Sequence, residues 1–340
     1  MRINNIKIAI VKSTSSANAN RSNLILPCLA IVMPCYNEEA ILPHTFTHIT
    51  KFLLMCIQEA VIHPSSYVLC VDDGSSDSTW EIIASNSKTS PLIRGLKLSR
   101  NQGHQTALIA GLSNILDCDV SVSIDADLQD DLLAISAMLS AWRNGYDIVY
   151  GVRNERKTDT FFKRKTAEIF YRSMLFMGAN LTVNHADFRL MDRRAVNALL
   201  NYKERNLFLR GLVPLIGFPS TSVHYARQQR IAGKSKYPLS RMLCLAVQGI
   251  TSLSVIPLRI IAFVGLLISS FALLAIVYAI ISKVTGHTMP GWTSITISIF
   301  FMGGVQMLSL GVIGEYIGKI YLETKQRPLY HVESLTWKKN

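Results

Sequence analysis

Asp125 and Asp127 are two carboxylates one residue apart in the run Asp125-Ala126-Asp127-Leu128-Gln129-Asp130, which directly follows the apolar segment Val120 to Ile124. Oxygens so placed at a strand end can share a hard divalent cation, Mg2+ or Mn2+, and that cation can hold a nucleotide diphosphate. An isolated Asp-x-Asp is usually only a solvated turn. Here it closes a series of polar clusters that each follow an apolar run: Pro34-Cys35-Tyr36-Asn37-Glu38-Glu39, then Asp72-Asp73-Gly74-Ser75-Ser76-Asp77. The series is far more specific than any one member.

The elements that must position these clusters alternate. Strands are predicted over Leu29 to Met33, Tyr67 to Val71, Ile93 to Leu98, Val120 to Ile124 and Ile148 to Tyr150. Between them lie helices from Pro43 to about Glu59, from Asp77 or Ser78 as cap, from Gly103 to Leu116 and from Leu132 to Arg143. Pro43 suits a first helical position, where its missing N–H has no partner to lose. Strand–helix alternation at this spacing implies an α/β fold, a mainly parallel sheet with helices on both faces. Ligands of such sheets bind at the carboxyl ends of the strands, where the polar clusters lie. After Gly151 the alternation lapses.

The stretches VMPCYNEE, VDDGSSDST, SRNQGHQTALIAGL and DADLQDD, in this order and spacing, resemble the inverting, metal-dependent glycosyltransferases of family 2, which have the GT-A fold. YGVRNERK, ADFRLMDR, FLRG and RQQRIAGKSKY carry a narrower likeness to the polyprenyl-phosphate subgroup, both bactoprenol glucosyl transferase-like and dolichol-phosphate mannose synthase-like. The resemblance spans Leu29 to Tyr330. It implies that Pro34, Tyr36, Glu38, Asp72 and Asp125 bind the nucleotide-sugar, with Asp72 near the base, and that Asp125, Asp127 and Gln129 surround the metal. Turn chemistry after a strand is the lesser alternative for Pro34 and Tyr36, whereas turn or helix-cap roles suit Asp73 and Asp77 at least as well as ligand contact.

By the same resemblance Arg153 and Arg164 grip the phosphate of a lipid acceptor, since cations must offset the repulsion between that phosphate and the donor's diphosphate. Arg156 and Lys163 read equally well as solvated surface groups. Gly233-Lys234-Ser235-Lys236-Tyr237, after Arg227 and Arg230, is similar to the family's mobile basic loop, with Arg230 and Lys234 toward the acceptor; a basic patch beside a membrane is the alternative. A phosphate monoester is largely dianionic near neutral pH, its second pKa being about 6, so no strong general base is required. Asp127 and Asp187 are the catalytic candidates. Asp187 either orients the acceptor or sugar hydroxyls, or is a structural partner of Arg189.

Composition adds the surroundings. Hydrophobic residues reach 49% and charged residues only 17%, with the apolar excess after Pro257. No charged residue occurs from Ile260 to Ser282 or from Trp292 to Gly314. Each run meets the roughly 20 residues a helix needs to cross a hydrocarbon core. Arg259 precedes the first run and Lys319, Lys325, Arg327, Lys338 and Lys339 follow the second, so both ends are expected in the cytoplasm of a bacterial inner membrane. The expected organisation is an N-terminal extension (1–27), a catalytic domain (28–238), a juxtamembrane helix (239–256), a transmembrane hairpin (257–318) and a basic tail (319–340). Thr160 to Met177 mixes aromatic and basic residues and reads either as an interfacial helix or as an ordinary surface helix.

The net charge of +12 then suits anionic lipid and phosphorylated ligands; no nucleic-acid motif accompanies it. Cys28, Cys35, Cys56, Cys70, Cys118 and Cys244 show no CxxC spacing and read as reduced thiols. Lys7 and Lys12 interrupt the first apolar residues, so a cleaved signal peptide is not expected.

A processive polysaccharide synthase is disfavoured by the absence of Gln-x-x-Arg-Trp. A non-catalytic nucleotide-sugar sensor would be expected to lack the carboxylates or arginines present here, and a single hairpin leaves a transporter no path without oligomerisation. Gly303, Gly304, Gly311 and Gly314 would permit close approach between the spans or between chains. By resemblance the chain forms homo-oligomers, as tetramers. UDP-glucose and undecaprenyl phosphate are the implied pair, with GDP-mannose or an aminoarabinose derivative as alternative donors.

Overall fold

The computed structural model describes residues 8–9, 26–115, 117–153, 185–205, 207–226, 256–285 and 291–338, without some side chains inside its helices and strands. Arg164, Arg230, Lys234 and the segments 160–177 and 239–253 lie outside the described residues. One compact unit comprises Met1–Ala167, Leu181–Tyr237 and Arg327–Asn340, and the other Glu168–Asn180 and Pro238–Gln326.

The first unit is built on strands β1 (Ile8–Ala9), β2 (Leu29–Cys35), β3 (Tyr67–Asp72), β4 (Ile93–Leu98), β5 (Val120–Ser123), β6 (Ile148–Arg153), β7 (His185–Asp192), β8 (Ser220–Tyr225) and β9 (Val332–Leu335). They form one sheet in the order β1-β8-β6-β7-β5-β2-β3-β4-β9. Strands β2 to β6 and β8 run in one direction, and β1, β7 and β9 oppose them, so the sheet is mainly parallel as its sequence pattern predicts.

Helices α1 (Leu42–Gln58), α2 (Thr79–Thr89), α3 (His104–Leu112), α4 (Leu133–Arg143), α5 (Arg193–Leu200) and α6 (Leu209–Leu215) cover its faces. The central β2 is buried on both sides. Leu29, Ile31 and Met33 pack into one apolar cluster with residues of α1 and α4, and Ala30 and Val32 into a second with α3. That is why β2 reads as a continuous apolar run instead of an alternating one. Pro34 is tolerated because β2 pairs with β5 only from Leu29 to Val32, so the proline lies past the last pairing that would need its N–H.

Two segments depart from expectation. Ile8–Ala9, within the extension expected to be loose, pairs with β8 at Val223 and Ser222. Val332–Leu335, in the expected basic tail, adds an antiparallel edge strand to β4. Thr336 Oγ1 accepts the Gly95 N–H at 2.8 Å, Lys97 pairs with Glu333 at 3.0 Å, and the Arg94 guanidinium stands 3.6 Å from the Tyr67 ring centroid and 6.0 Å from that of Trp337. β9 thereby covers a sheet edge that would otherwise present unpaired backbone groups.

The second unit contains two long helices, α7 (Ile256–Val284, 29 residues) and α8 (Trp292–Thr324, 33 residues). At a rise of about 1.5 Å per residue they are roughly 44 and 50 Å long. Large apolar side chains lie open along both, including Leu266, Phe271, Met307 and Leu308. Among the described residues no helical stretch is both long and apolar enough to cross a membrane; each charge-free run of the sequence also includes side chains outside that description. A Cβ added to Gly303, Gly304, Gly311 or Gly314 would meet nothing within 4 Å. These glycines therefore do not serve close packing between α7 and α8 among the described residues.

Candidate active site

The loops after β2, β3 and β4 are tied together by polar side chains. Asn37, at φ 53°, donates its N–H to Ser75 Oγ at 3.0 Å, and its Oδ1 accepts the Ser76 N–H at 2.9 Å. The Glu38 N–H reaches Thr79 Oγ1 at 2.9 Å, and the Glu39 carboxylate accepts from the Ser78 N–H at 3.0 Å. Asp77, not Ser78, supplies the capping oxygen of α2: its carboxylate accepts from the Thr79 and Glu39 N–H groups at 3.0 and 3.2 Å. Burial alone would raise the Asp77 pKa, but these bonds outweigh it and lower it.

Asp73 is likewise an organiser. Its two carboxylate oxygens accept from the N–H groups of Gln102 and Gly103 at 2.8 and 2.9 Å, fixing the loop that enters α3. Gly74 is required where these loops meet: its φ is +65°, and an added Cβ would lie 2.5 Å from the Arg100 carbonyl carbon. Asp72 is fully buried. Its Oδ1 accepts the Ser75 N–H at 3.1 Å, while Oδ2 is buried with no hydrogen-bond partner among the described residues. Desolvation raises its pKa. A buried acceptor without a donor is costly, so the geometry suits a ligand that brings an N–H. Tyr36 stands exposed on the neighbouring loop.

At the end of β5, Thr45 of α1 donates to the Ala126 carbonyl at 2.7 Å and holds the acidic turn in place. Leu128 adopts φ 46°, and Asp127 Oδ1 accepts the Gln129 N–H at 3.3 Å. The Asp125 pKa is raised, first by desolvation and then by the carboxylates of Asp130, Asp187 and Asp127, against the opposing influence of His104. Among the described residues no group of three or more His, Cys, Asp or Glu side chains forms a ready-made metal cluster. The fit rests instead on two carboxylates and an amide on one short turn, and on the mutual repulsion around Asp125 that a cation would relieve.

His104, at the start of α3, links this turn to β7. Its Nε2 lies 3.8 Å from Asp125 Oδ1 and 3.7 Å from Asp187 Oδ2. Asp187 and Arg189 share a face of β7, two residues apart. The Asp187 carboxylate accepts from Arg189 Nη2 at 3.1 Å and from Arg210 Nε and Nη2 at 3.3 and 3.2 Å. Burial would raise its pKa, yet Arg210 and Arg189 hold it well below the usual carboxylate range. Asp187 is thus both paired with Arg189 and turned toward the Asp125 turn. His104 and Arg210 received no role from the sequence alone, although each stands inside a quoted motif, SRNQGHQTALIAGL and FLRG.

Arg153 ends β6 opposite Tyr225 of the parallel β8. Its Nε donates to the Tyr225 hydroxyl at 3.1 Å and its Nη2 to Asp130 Oδ1 at 3.2 Å, while the Tyr225 hydroxyl donates to the same carboxylate oxygen. Asp130 is buried, and its Oδ2 has no hydrogen-bond partner among the described residues. The Tyr225 ring packs edge-on against Phe188 at 5.2 Å between centroids. Pro34, Tyr36, Glu38, Asp72, Asp125, Asp127, Gln129, Arg153 and Asp187 all lie on or just beyond the sheet strands or on the loops that join them.

A family model described as glycosyl transferase family 2 matches residues 30–200, half of the chain. The chain belongs to glycosyl transferase family 2. A second model, described as the GtrB C-terminal hairpin, matches residues 256–320 of this family 2 enzyme. An uncharacterized glycosyltransferase, YkoT, of Bacillus subtilis (strain 168) is 50% identical over 310 residues, covering 90% of this chain and 91% of that one. The bactoprenol glucosyl transferase of Shigella phage SfX is 38% identical over 308 residues, covering 90% and 99%. Among solved structures, glucosyl-3-phosphoglycerate synthase from Mycobacterium tuberculosis, in complex with Mn2+, UDP-glucose and phosphoglyceric acid, aligns with a TM-score of 0.46 at 17% identity, covering 67% and 78%.

Proposed function

We propose that this glycosyltransferase moves one glucose from UDP-glucose onto undecaprenyl phosphate, inverting the anomeric centre, at the cytoplasmic face of a bacterial inner membrane. The observation that carries the reading is the antiparallel pairing of β5 with β7, which sets the Asp125 end of β5 beside the Asp187–Arg210 pair, with His104 Nε2 at 3.8 and 3.7 Å from the Asp125 and Asp187 carboxylates. The similarity to proteins named bactoprenol glucosyl transferase, along nearly their whole length, supports the same acceptor class.

The nucleoside is proposed to enter beside Asp72, whose buried Oδ2 would accept the ring N–H of uracil, with Tyr36, Pro34 and Glu38 along the same loop. Asp125, Asp127 and Gln129 would hold a Mg2+ or Mn2+ ion, which supplies positive charge to the donor diphosphate. Arg153, oriented by Asp130 and Tyr225, is assigned to the acceptor phosphate, and Arg164, Arg230 and Lys234 are assigned there by resemblance. A dianionic phosphate oxygen then attacks the anomeric carbon from the face opposite the leaving nucleoside diphosphate. Asp187, kept ionised by its arginines, is assigned to orienting the sugar or acceptor and takes no proton.

The hairpin reading rests on the charge-free runs and on connectivity. The chain leaves the sheet-bearing unit before α7 and places β9 in that same sheet after α8, an order that a hairpin crossing the membrane twice would satisfy. In this proposal the connector between the two runs would lie on the far side of the membrane. The open apolar side chains of both helices suit lipid or another copy of the chain, and a homo-oligomer, tetrameric by resemblance, is part of the proposal.

A panel of UDP-glucose, GDP-mannose and a UDP-aminoarabinose derivative, each offered with undecaprenyl phosphate and Mg2+ or Mn2+, tests the assignment. Glucosyl lipid with the configuration opposite to that of the donor is expected. Preference for another donor would overturn the choice of sugar, and retained configuration would overturn the displacement. A cysteine placed at Thr288 should react with an impermeant thiol reagent from outside intact cells; reaction only after lysis would refute the topology.

A further inference from the structure

At the amino ends of β2 and β5, far along the strands from the acidic turn, Cys28 and Cys118 bring their sulfurs to 2.7 Å of each other. Strand pairing holds them there. The Cys28 carbonyl accepts the N–H groups of Asp119 and Val120 at 2.9 and 3.1 Å, and the Cys28 N–H donates to Asp119 Oδ2 at 2.9 Å. Cys28 is half-buried and Cys118 buried. Ser65 also faces Cys28, with its Oγ at 3.7 Å and its carbonyl at 3.8 Å.

We propose that Cys28 and Cys118 form a reversible dithiol–disulfide pair that responds to low-molecular-weight disulfides. The accessible Cys28 is the attacking thiol and the buried Cys118 the resolving one. The hydrogen bond from Cys118 makes Cys28 more acidic, against burial and the carboxylates of Asp117 and Asp119, and the same contact holds the Cys118 proton in place. Cys28 thiolate attacks one sulfur of RSSR, forming Cys28–S–S–R and releasing RS−. Cys118 then loses its proton and attacks the Cys28 sulfur, forming the Cys28–Cys118 disulfide and releasing the second RS−. Two protein thiols are oxidised, one external disulfide is reduced to two thiols, and dithiothreitol reverses the exchange.

The cross-link would close a loop between residues 90 apart in sequence, joining β2 to β5 at the ends opposite their functional loops. A rise in unfolding temperature of about 5–15 °C is expected from a loop of that length, with sugar transfer unaffected.

The test treats reduced full-length protein with oxidised glutathione, followed by digestion without reductant and mass spectrometry. The expected products are a Cys28–Cys118 linked peptide pair, the loss of two titratable thiols and an unfolding temperature that dithiothreitol returns to its starting value. Cys118→Ser should stop at a glutathione adduct on Cys28, and Cys28→Ser should give no cross-link. A stable glutathione adduct on Cys28 of the wild type, no reaction of Cys28, or a cross-link through a different cysteine would each overturn the proposal.

Discussion

Tyr225→Phe isolates the positioning of Arg153, because it removes one hydroxyl and leaves the ring that packs against Phe188. That hydroxyl accepts from Arg153 Nε and donates to the buried Asp130. Hydrogen bonds to charged groups contribute about 1.5–3 kcal/mol each. The Arg153 side chain is 23% exposed, so water can replace the bond at Nε, whereas the Asp130 side chain, at 1%, has no such recourse. The net loss is therefore about 2–3 kcal/mol, close to one bond to a buried charge. For a unit of this size that corresponds to a fall of roughly 5–10 °C in unfolding temperature. A less constrained Arg153 should raise KM for undecaprenyl phosphate about tenfold, equivalent to about 1.4 kcal/mol. KM for UDP-glucose and kcat at saturating acceptor should stay within about twofold. Thermal unfolding in detergent and steady-state kinetics with each substrate varied in turn read these quantities. An unchanged unfolding temperature, or donor and acceptor KM rising together, would refute the reasoning.

Three further outcomes follow from the same geometry. Asp72→Asn places an amide where the unpartnered oxygen lies, so KM for the donor should rise by about 10–100-fold, the loss of one buried polar contact at roughly 1–3 kcal/mol, with acceptor KM unchanged; equal donor binding by calorimetry would remove Asp72 from the nucleoside site. Gly74→Ala forces a side chain into positive φ and onto the Arg100 backbone, and should lower stability by at least about 1–2 kcal/mol; a wild-type denaturation midpoint would contradict the close approach. Because the folded-state pKa of Asp187 is depressed, its contribution is complete above the ordinary carboxylate pKa of about 3.9 and is lost as pH falls toward the folded value. The wild type should therefore lose unfolding temperature more steeply than Asp187→Asn below about pH 4, and parallel curves would show that Asp187 is not stabilised by its arginines.

The sequence made the strands from Leu29 to Tyr150 legible because each is a buried apolar run punctuated by a polar turn, and the acidic turn after β5 stood out for the same reason. Less legible were the elements whose identity depends on distant pairing. β7 enters antiparallel between β5 and β6, β8 lies beside β6, and β9 reaches β4 across more than two hundred residues. Nothing local in Val332–Leu335 distinguishes a paired edge strand from a tail. The site divides in the same way. Asp125 and Asp127 announce themselves by spacing, but that Asp130 holds Arg153 through Tyr225, or that His104 stands between Asp125 and Asp187, depends on strand register and helix entry. Asp73 and Asp77 read as turn residues, and the structure shows which N–H groups each of them fixes.

Metal-assisted transfer of sugar to a lipid phosphate, from the turn at Asp127, is the reaction proposed for this enzyme. Its most direct test incubates the purified full-length chain with radiolabelled UDP-glucose, undecaprenyl phosphate and Mg2+ or Mn2+, then counts label in the lipid phase. Label should accumulate with the wild type and fall to background with Asp127→Asn at an unchanged unfolding temperature. No lipid-phase label from any nucleotide-sugar, or an Asp127→Asn variant as active as the wild type, would contradict it.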